Sequence, residues 1–320
     1  MGKRILVTGA TGFFGRHLVP SLVGHEYSVR AATRRPVMLG EAVEVVSVGD
    51  FTQDVDWIRH VDGMDAVIHL AALAHVNKKT SSIKYDEINR KVTVRLAKAA
   101  AAVDARFIFM SSIAAQTGSS ASEVLTEDSR PFPTTAYGRS KLLAEQEIAT
   151  IGNDFIILRP ALTYGYGVKG NMERVIKLAT RRFSPLLGSI RNSRSLLAVE
   201  NMCEAVNFFL TSNSVTKQIF ILSDPEPVSM AEIVCLLRSG AGLNTKGLHI
   251  PPVVLAVSLR LLGRDDLWKK IGENLVVSPE KLRRYGFQWK TGTTEAMPKL
   301  SALYANSSPA LDADFRLTSG

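Results

Sequence analysis

The sequence predicts an α/β fold, a doubly wound parallel sheet with a smaller interleaved C-terminal domain. Three observations carry this. Short apolar runs rich in Val, Ile and Phe alternate with helix-like segments through the first half, the pattern of a parallel sheet covered by helices on both faces. The first of these runs opens directly into a glycine-rich turn. After Pro160 the alternation loses its regularity.

The elements follow in order. Arg4 to Val7, Ser28 to Thr33, Val43 to Val48, Ala66 to Leu70 and Phe107 to Met110 read as buried strands, because each is short, apolar and bounded by turn or helical sequence. Phe14–Val23 and Asn89–Val103 have helical composition, the latter dense in Ala, Leu, Lys and Arg. Right-handed crossovers join such units. Beyond Pro160, Gly165, Gly167 and Gly170 mark a loop. Helices are expected near Met172–Thr180, Glu200–Leu210 and Ser229–Ser239, with a further strand at Gln218–Leu222. The tail 306–320, with its Ser, Pro, Asp and Gly, is expected to be loosely ordered.

Bulk properties narrow the function classes. A chain of 320 residues with 22% charged side chains has the length and composition of one large or two moderate soluble domains. Cys203 and Cys235 lie in apolar, helix-like segments, as small buried hydrophobes rather than a disulfide or a metal site. Met1 leads almost directly into the first strand, so no N-terminal signal is expected. The apolar segment Leu248 to Leu262 is interrupted by Pro251, Pro252 and Arg260, too short and broken for the roughly 20 residues of a membrane span. No stable membrane insertion is expected, and the segment reads as a packed helix. The net charge of +9 suits a polyanionic ligand. No aromatic–basic interleaving accompanies it, so no nucleic-acid partner is expected.

Thr8-Gly9-Ala10-Thr11-Gly12-Phe13-Phe14-Gly15 follows the strand Ile5-Leu6-Val7, and strand, glycines and helix together make a phosphate cradle for a dinucleotide. Gly9 permits the tight turn, Gly12 lets backbone approach a pyrophosphate, and Gly15 lets helix pack closely on strand. A second constellation bears on the reaction. Tyr137 and Lys141 are four apart in a helical run ending near Thr150, hence on one helix face. An ammonium beside a phenol lowers the phenol pKa from its usual value of about 10 and makes it a workable acid or base. Ser111-Ser112 ends the strand Phe107–Met110, at the carboxyl edge where doubly wound sheets bind ligands.

With these residues in place the chain resembles the extended short-chain dehydrogenase/reductase superfamily, in its nucleotide-sugar epimerase, dehydratase and reductase branch. The resemblance rests on Thr8–Gly15, Gly49-Asp50, His69-Leu70-Ala71-Ala72, Asn89, Ser111-Ser112, Tyr137–Lys141 and Leu158-Arg159-Pro160. It implies a Rossmann domain over 1–163 to which part of 193–223 returns, and a substrate-binding domain over 164–192 and 224–305. It implies Ser112, Tyr137 and Lys141 as catalytic residues, with Ser112 preferred to Ser111 because it precedes the tyrosine by 25 residues. Tyr137 would exchange a proton with the sugar oxygen, and Lys141 would also hold the nicotinamide ribose. On the cofactor it places Gly9, Thr11, Gly12, Phe13, Phe14 and Gly15, then Asp50 at the adenine with Phe51, then Leu70, Ala71, Ala72, Asn89 and Pro160. Asn89 would either support the site or accompany a helix irregularity. His69 and His75 read as packing or loop histidines.

The second predicted strand ends in Arg34-Arg35 without a carboxylate until Glu41. Guanidinium groups suit a 2′-phosphate, so NADP(H) is the preferred cofactor, with NAD(H) acceptable if Arg34 instead stacks on the adenine. Lys169, Asn171 and Arg194 resemble the residues that hold a nucleotide-sugar diphosphate. The resemblance implies a cytoplasmic homodimeric enzyme of bacterial surface-polysaccharide synthesis, working at C4 of a UDP-hexose or UDP-N-acetylhexosamine. Reduction of a UDP-4-keto(-6-deoxy) sugar is the first reading, on the arginines. A UDP-glucose or UDP-N-acetylglucosamine 4-epimerase is the second, and a non-catalytic NADP-binding module a distant third. Dehydration is disfavoured because Ile113-Ala114 replaces the acid/base pair it needs.

Overall fold

The computed structural model describes residues 2–74, 81–181, 190–245 and 251–306. His75, the tail beyond Asn306 and the start of the Leu248–Leu262 segment lie outside the described residues.

The first half winds as β1 (Arg4–Thr8), α1 (Phe13–Gly24), β2 (Ser28–Thr33), β3 (Val43–Ser47), α2 (Trp57–Val61), β4 (Ala66–His69), α3 (Ser82–Asp86), a π-helical turn at Glu87–Lys91, α4 (Val92–Ala102) and β5 (Arg106–Met110). A 3₁₀ turn, Ile113–Ala115, leads on to α5 (Ala136–Ile151) and β6 (Phe155–Pro160). The second half contributes β7 (Leu162–Tyr164), α6 (Asn171–Ala179), β8 (Leu196–Ala198), α7 (Val199–Thr211), β9 (Gln218–Leu222), α8 (Met230–Gly240), α9 (Pro252–Leu261), α10 (Asp265–Gly272), α11 (Glu280–Arg284) and α12 (Thr293–Asn306).

Seven strands form one sheet in the order β3-β2-β1-β4-β5-β6-β9, and every pairing in it is parallel. Ile5, Leu6, Val7, Ile68, Phe107, Ile108 and Phe109 are fully buried, as expected of strands covered on both faces. One face packs on α1 and α7 through Leu18, Leu22, Met202, Val206 and Phe209. The other packs on α4 and α5 through Val92, Leu96, Ala100, Ala144 and Ile148. A third core, with Met172, Ile176, Ile233, Leu237, Met297 and Leu300, joins α6, α8 and α12. The sheet winds outward in opposite directions from β1 and β4, so their carboxyl ends flank the crevice at which such sheets take ligands.

Two readings from sequence shift here. The sheet holds β6 between β5 and β9, a strand that the sequence pattern did not single out. The regular α-helix begins at Val92, and Asn89 sits in the π-helical turn before it.

Candidate active site

Three glycines shape the turn after β1. Gly9 has φ +74, and a Cβ there would lie 2.6 Å from the Ala71 nitrogen. Only glycine lets the ends of β1 and β4 approach this closely. A Cβ on Gly15 would lie 2.3 Å from the Gly9 carbonyl oxygen, so α1 packs directly on the turn. Gly12 is different: it is exposed, and its closest neighbour to a Cβ is the Gly9 oxygen at 3.2 Å. Gly12 is also the N-cap of α1, without a side-chain cap and without an acidic residue in the first turn. Backbone donors and the positive end of the helix dipole therefore face open space beside Thr11, Phe13 and Phe14, and this suits a dinucleotide's phosphates. The Phe13 ring reaches across to pack on both the first and third cores.

Behind this turn lies a buried polar chain. His69 Nδ1 is 2.6 Å from Thr8 Oγ1, and its Nε2 is 2.9 Å from Thr93 Oγ1. Burial and the Lys141 charge push the His69 pKa down to about 3, so it is a neutral packing residue. Asn89 Oδ1 accepts from the Leu73 N–H at 2.8 Å, while its Nδ2 donates to the Leu73 carbonyl at 3.1 Å and to Ser140 Oγ at 3.2 Å. The irregular turn carries Asn89, and Asn89 clamps the chain after Ala72 to α5.

At the end of β5 the two serines part company. The Ser111 hydroxyl donates inward to Glu145, which is buried and also receives a fork from Arg159. Ser112 is half-buried and caps the 3₁₀ turn, its Oγ accepting from the Ala114 N–H at 3.1 Å. Thr135 caps α5 at the Gly138 N–H, which sets Tyr137 in the first helical turn. The Tyr137 ring meets Tyr85 edge-on at 6.2 Å, and the Ser112 hydroxyl is close enough to lower the phenol pKa. Lys141, one turn on, is fully buried. Its Nζ donates to the Met110 carbonyl at 2.8 Å and lies 4.5 Å from the centre of the Phe109 ring.

The proton chemistry differs from the sequence expectation. Burial pushes the Tyr137 phenol up to about 12, against a smaller lowering by the Ser112 hydrogen bond. The same burial pushes the Lys141 ammonium down to about 7, with Glu145 acting in the opposite direction. The lysine donates to the Met110 carbonyl, and burial favours the neutral phenol. A stability dependence follows. A lysine ordinarily titrates at 10.5, so between about 7 and 10.5 the unfolded chain holds more protons than the folded one, and stability rises with pH across that window. Urea midpoints measured from pH 6.5 to 10 should climb for the wild type more than for Lys141→Met, which has nothing to titrate there; parallel curves would refute this.

Gly138 carries a signal that motif reading missed. A Cβ there would lie 2.0 Å from the Ala114 carbonyl oxygen, because α5 seats directly on the 3₁₀ turn that follows Ser112. Gly138→Ala must push the two elements apart and separate Tyr137 from Ser112. Turnover should fall by about 10²-fold, the cost of roughly 1 Å of misplacement. Wild-type kcat in that variant would show that the contact yields without consequence.

The remaining expected residues lie around this centre. Arg34 and Arg35 are exposed just beyond β2, and the Thr33 hydroxyl donates to the Arg35 carbonyl at 2.8 Å. Asp50 is exposed nearby. Its carboxyl is held below the usual range by the Thr52 N–H and hydroxyl, both at 2.9 Å, with a smaller contribution from Arg34. Phe51 follows Asp50 with its ring in the second core, edge-on to Trp57 at 5.4 Å. Leu70 and Ala71 abut Gly9, and Pro160 ends β6 in line with Leu222 of β9. Asn171 opens α6 behind Gly170, and Lys169 is exposed beside it.

Arg194 is the larger surprise. It is buried, its guanidinium donating to the Glu273 carbonyl at 2.8 Å and the Ser119 carbonyl at 3.2 Å. Burial lowers its pKa to about 10. Next to it a depression of about 440 Å³ opens between Ser120–Ser122 and Gly272–Asn274. Cys235 is exposed rather than buried as expected, because it points off the outer face of α8.

This arrangement is matched by the model of the NAD dependent epimerase/dehydratase family over residues 5–222. The chain belongs to that family. It is 33% identical to the UDP-glucose 4-epimerase of Vibrio cholerae over 87% of this chain and 88% of that protein. It is 22% identical to the N-acetyl-alpha-D-glucosaminyl-diphospho-ditrans,octacis-undecaprenol 4-epimerase of Escherichia coli O157:H7, over 89% and 86% of the two chains. The solved UDP-N-acetylglucosamine 4-epimerase of Bacillus cereus shares the fold at a TM-score of 0.75 and 21% identity, over 96% of this chain and 100% of that one.

Proposed function

We propose that this family member is an NAD-dependent 4-epimerase of a UDP-linked hexose or N-acetylhexosamine, with Ser112, Tyr137 and Lys141 as its catalytic residues. The observation that carries the reading is that Ser112, at the carboxyl end of β5, and Tyr137 and Lys141, one turn apart on α5, gather at the carboxyl edge of the sheet beside the uncapped end of α1. The name of the Vibrio cholerae relative gives the substrate class. Residues 1–163, with part of 193–223, take the dinucleotide; 164–192 and 224–305 take the sugar nucleotide, with Lys169, Asn171 and Arg194 at its diphosphate.

A dinucleotide held at the Gly9–Gly15 turn would supply a reversible hydride acceptor for C4. Tyr137 takes the C4 hydroxyl proton as the hydride leaves and gives it back when the ketone is reduced. Ser112 holds the oxygen that becomes the carbonyl. Lys141, one turn from Tyr137 on α5, would stabilise the phenolate and hold the nicotinamide ribose. Rotation of the 4-keto sugar between the two transfers exposes its other face.

A second reading, net reduction of a UDP-4-keto(-6-deoxy) sugar with NADP(H), is favoured by the exposed Arg34 and Arg35 at the end of β2. The two are separated by one experiment. Purified protein incubated with UDP-glucose or UDP-N-acetylglucosamine should form the C4 epimer without added NADPH. Stoichiometric NADPH oxidation by the 4-keto-6-deoxy sugar, with no epimer formed, would establish the reductase instead.

A further inference from the structure

We infer that α9 and α10 form a docking surface for an anionic lipid bilayer. Helix α9 has the sequence Pro-Val-Val-Leu-Ala-Val-Ser-Leu-Arg-Leu and is apolar over most of its circumference, Ser258 and Arg260 apart. Its inner side is used: Leu259 is buried, and Leu255 joins the third core with Trp268 and Ile271 of α10. Its outer side is open. Val253 is 71% exposed, Val254 54%, Val257 49% and Leu261 82%, and Leu262 follows at 72%. The first four occupy one face by helical spacing. Scattered exposed apolar residues need no explanation, whereas a contiguous stripe marks a site of association. A helix apolar on its outer as well as its inner side is built for burial on both.

The chemistry of the stripe and its rim selects the occupant. The stripe is purely aliphatic, without the aromatic anchors that dominate protein interfaces. Of its two polar neighbours on α9, Ser258 donates its hydroxyl to the Val254 carbonyl at 2.8 Å, and Arg260 is exposed at the edge of the stripe. Arg260 and Arg264 follow at the end of α9, and Lys269 and Lys270 lie on α10. Three of these cations make exposed ion pairs with the segment's own carboxylates, Arg260 and Lys269 with Asp265 at 3.4 and 3.5 Å and Lys270 with Asp266 at 3.8 Å. Four cations against two carboxylates leave the segment an excess of two positive charges, on a chain of net charge +9. An aliphatic face rimmed by long cationic side chains lies in a headgroup interface, its ammonium and guanidinium groups reaching anionic phosphates. Among the described residues no helix is long and apolar enough to cross a membrane, so the contact is superficial. The docking element is also continuous with the candidate diphosphate site, since α10 runs directly into Glu273, whose carbonyl accepts from Arg194 and Asn192.

Vesicle co-sedimentation tests this without any turnover, so its outcome is independent of the reaction catalysed. The full chain should sediment with phosphatidylglycerol/phosphatidylcholine vesicles, less with phosphatidylcholine alone, and less again at high salt. Val257→Asp combined with Leu261→Asp should weaken binding more than about tenfold, since each removes an aliphatic group from the lipid phase. Arg260→Glu with Arg264→Glu should erase the preference for phosphatidylglycerol. Melting curves would confirm that both variants fold. The inference is overturned if the wild type ignores anionic vesicles or if the folded variants bind them equally well. It is also overturned if the aliphatic variant turns a dimer into monomers while vesicle binding persists, which would assign the face to a second copy of the chain.

Discussion

Tyr137→Phe is expected to lower turnover by about 10²–10⁴-fold, the range contributed by a positioned acid–base group, while leaving NAD affinity within about twofold. The substitution removes one oxygen. The ring keeps its place against Tyr85, and the Gly9–Gly15 turn, the proposed phosphate cradle, belongs to a different strand end. The loss therefore concerns the proton alone. Burial pushes the phenol up to about 12, which favours its neutral, proton-donating form. It becomes a base only with positive charge supplied close by. Lys141 at about 7 is the nearest source of such charge that titrates in the neutral range. Fluorescence titration with NAD, alongside steady-state kinetics, separates the two effects. Full activity in the phenylalanine variant would mean that another group carries the proton.

The second large effect falls on stability. Glu145 and Arg159 are both almost completely buried, and they form a bidentate pair that also ties down Ser111 and Gln116. Arg159→Leu leaves the Glu145 carboxylate in the core without its cation, at a cost of about 3–5 kcal/mol. Removing both charges, with Glu145→Leu and Arg159→Met, should cost far less, because no unpaired ion remains. Urea denaturation of the single and double variants compares them directly. Equal destabilisation would show that packing, not the stranded charge, is what the pair contributes. The single variant should also lose activity beyond its loss of folded protein, since Ser111 precedes Ser112 in the same backbone turn.

These two sites also show what a sequence can reveal. Gly9 and Gly15 were legible because their constraint is local: each meets backbone within the same strand–turn–helix unit or the adjoining strand end. Tyr137 and Lys141 were legible by spacing, since four residues on a helix fix a shared face. Their environment was not. Whether an ammonium points to a phenol or to the Met110 carbonyl depends on how α5 seats on β5, a contact between distant segments. Gly138 stayed hidden for the same reason, its constraint being the Ala114 oxygen brought in by the fold. Strand β6 lay in a short apolar run that periodicity cannot assign to helix or strand. Arg194 was legible as a basic residue, but its burial against two carbonyls arises from loops some 75–79 residues away in sequence.

The most direct test follows the hydrogen at C4. UDP-glucose carrying deuterium at C4, incubated with the purified protein and no added nucleotide, should yield the epimer with the deuterium retained at C4. Retention requires that one bound dinucleotide takes the label from one face of the sugar and returns it to the other. Epimer that has lost its label to solvent, or no epimer unless NADPH is consumed, would contradict the account.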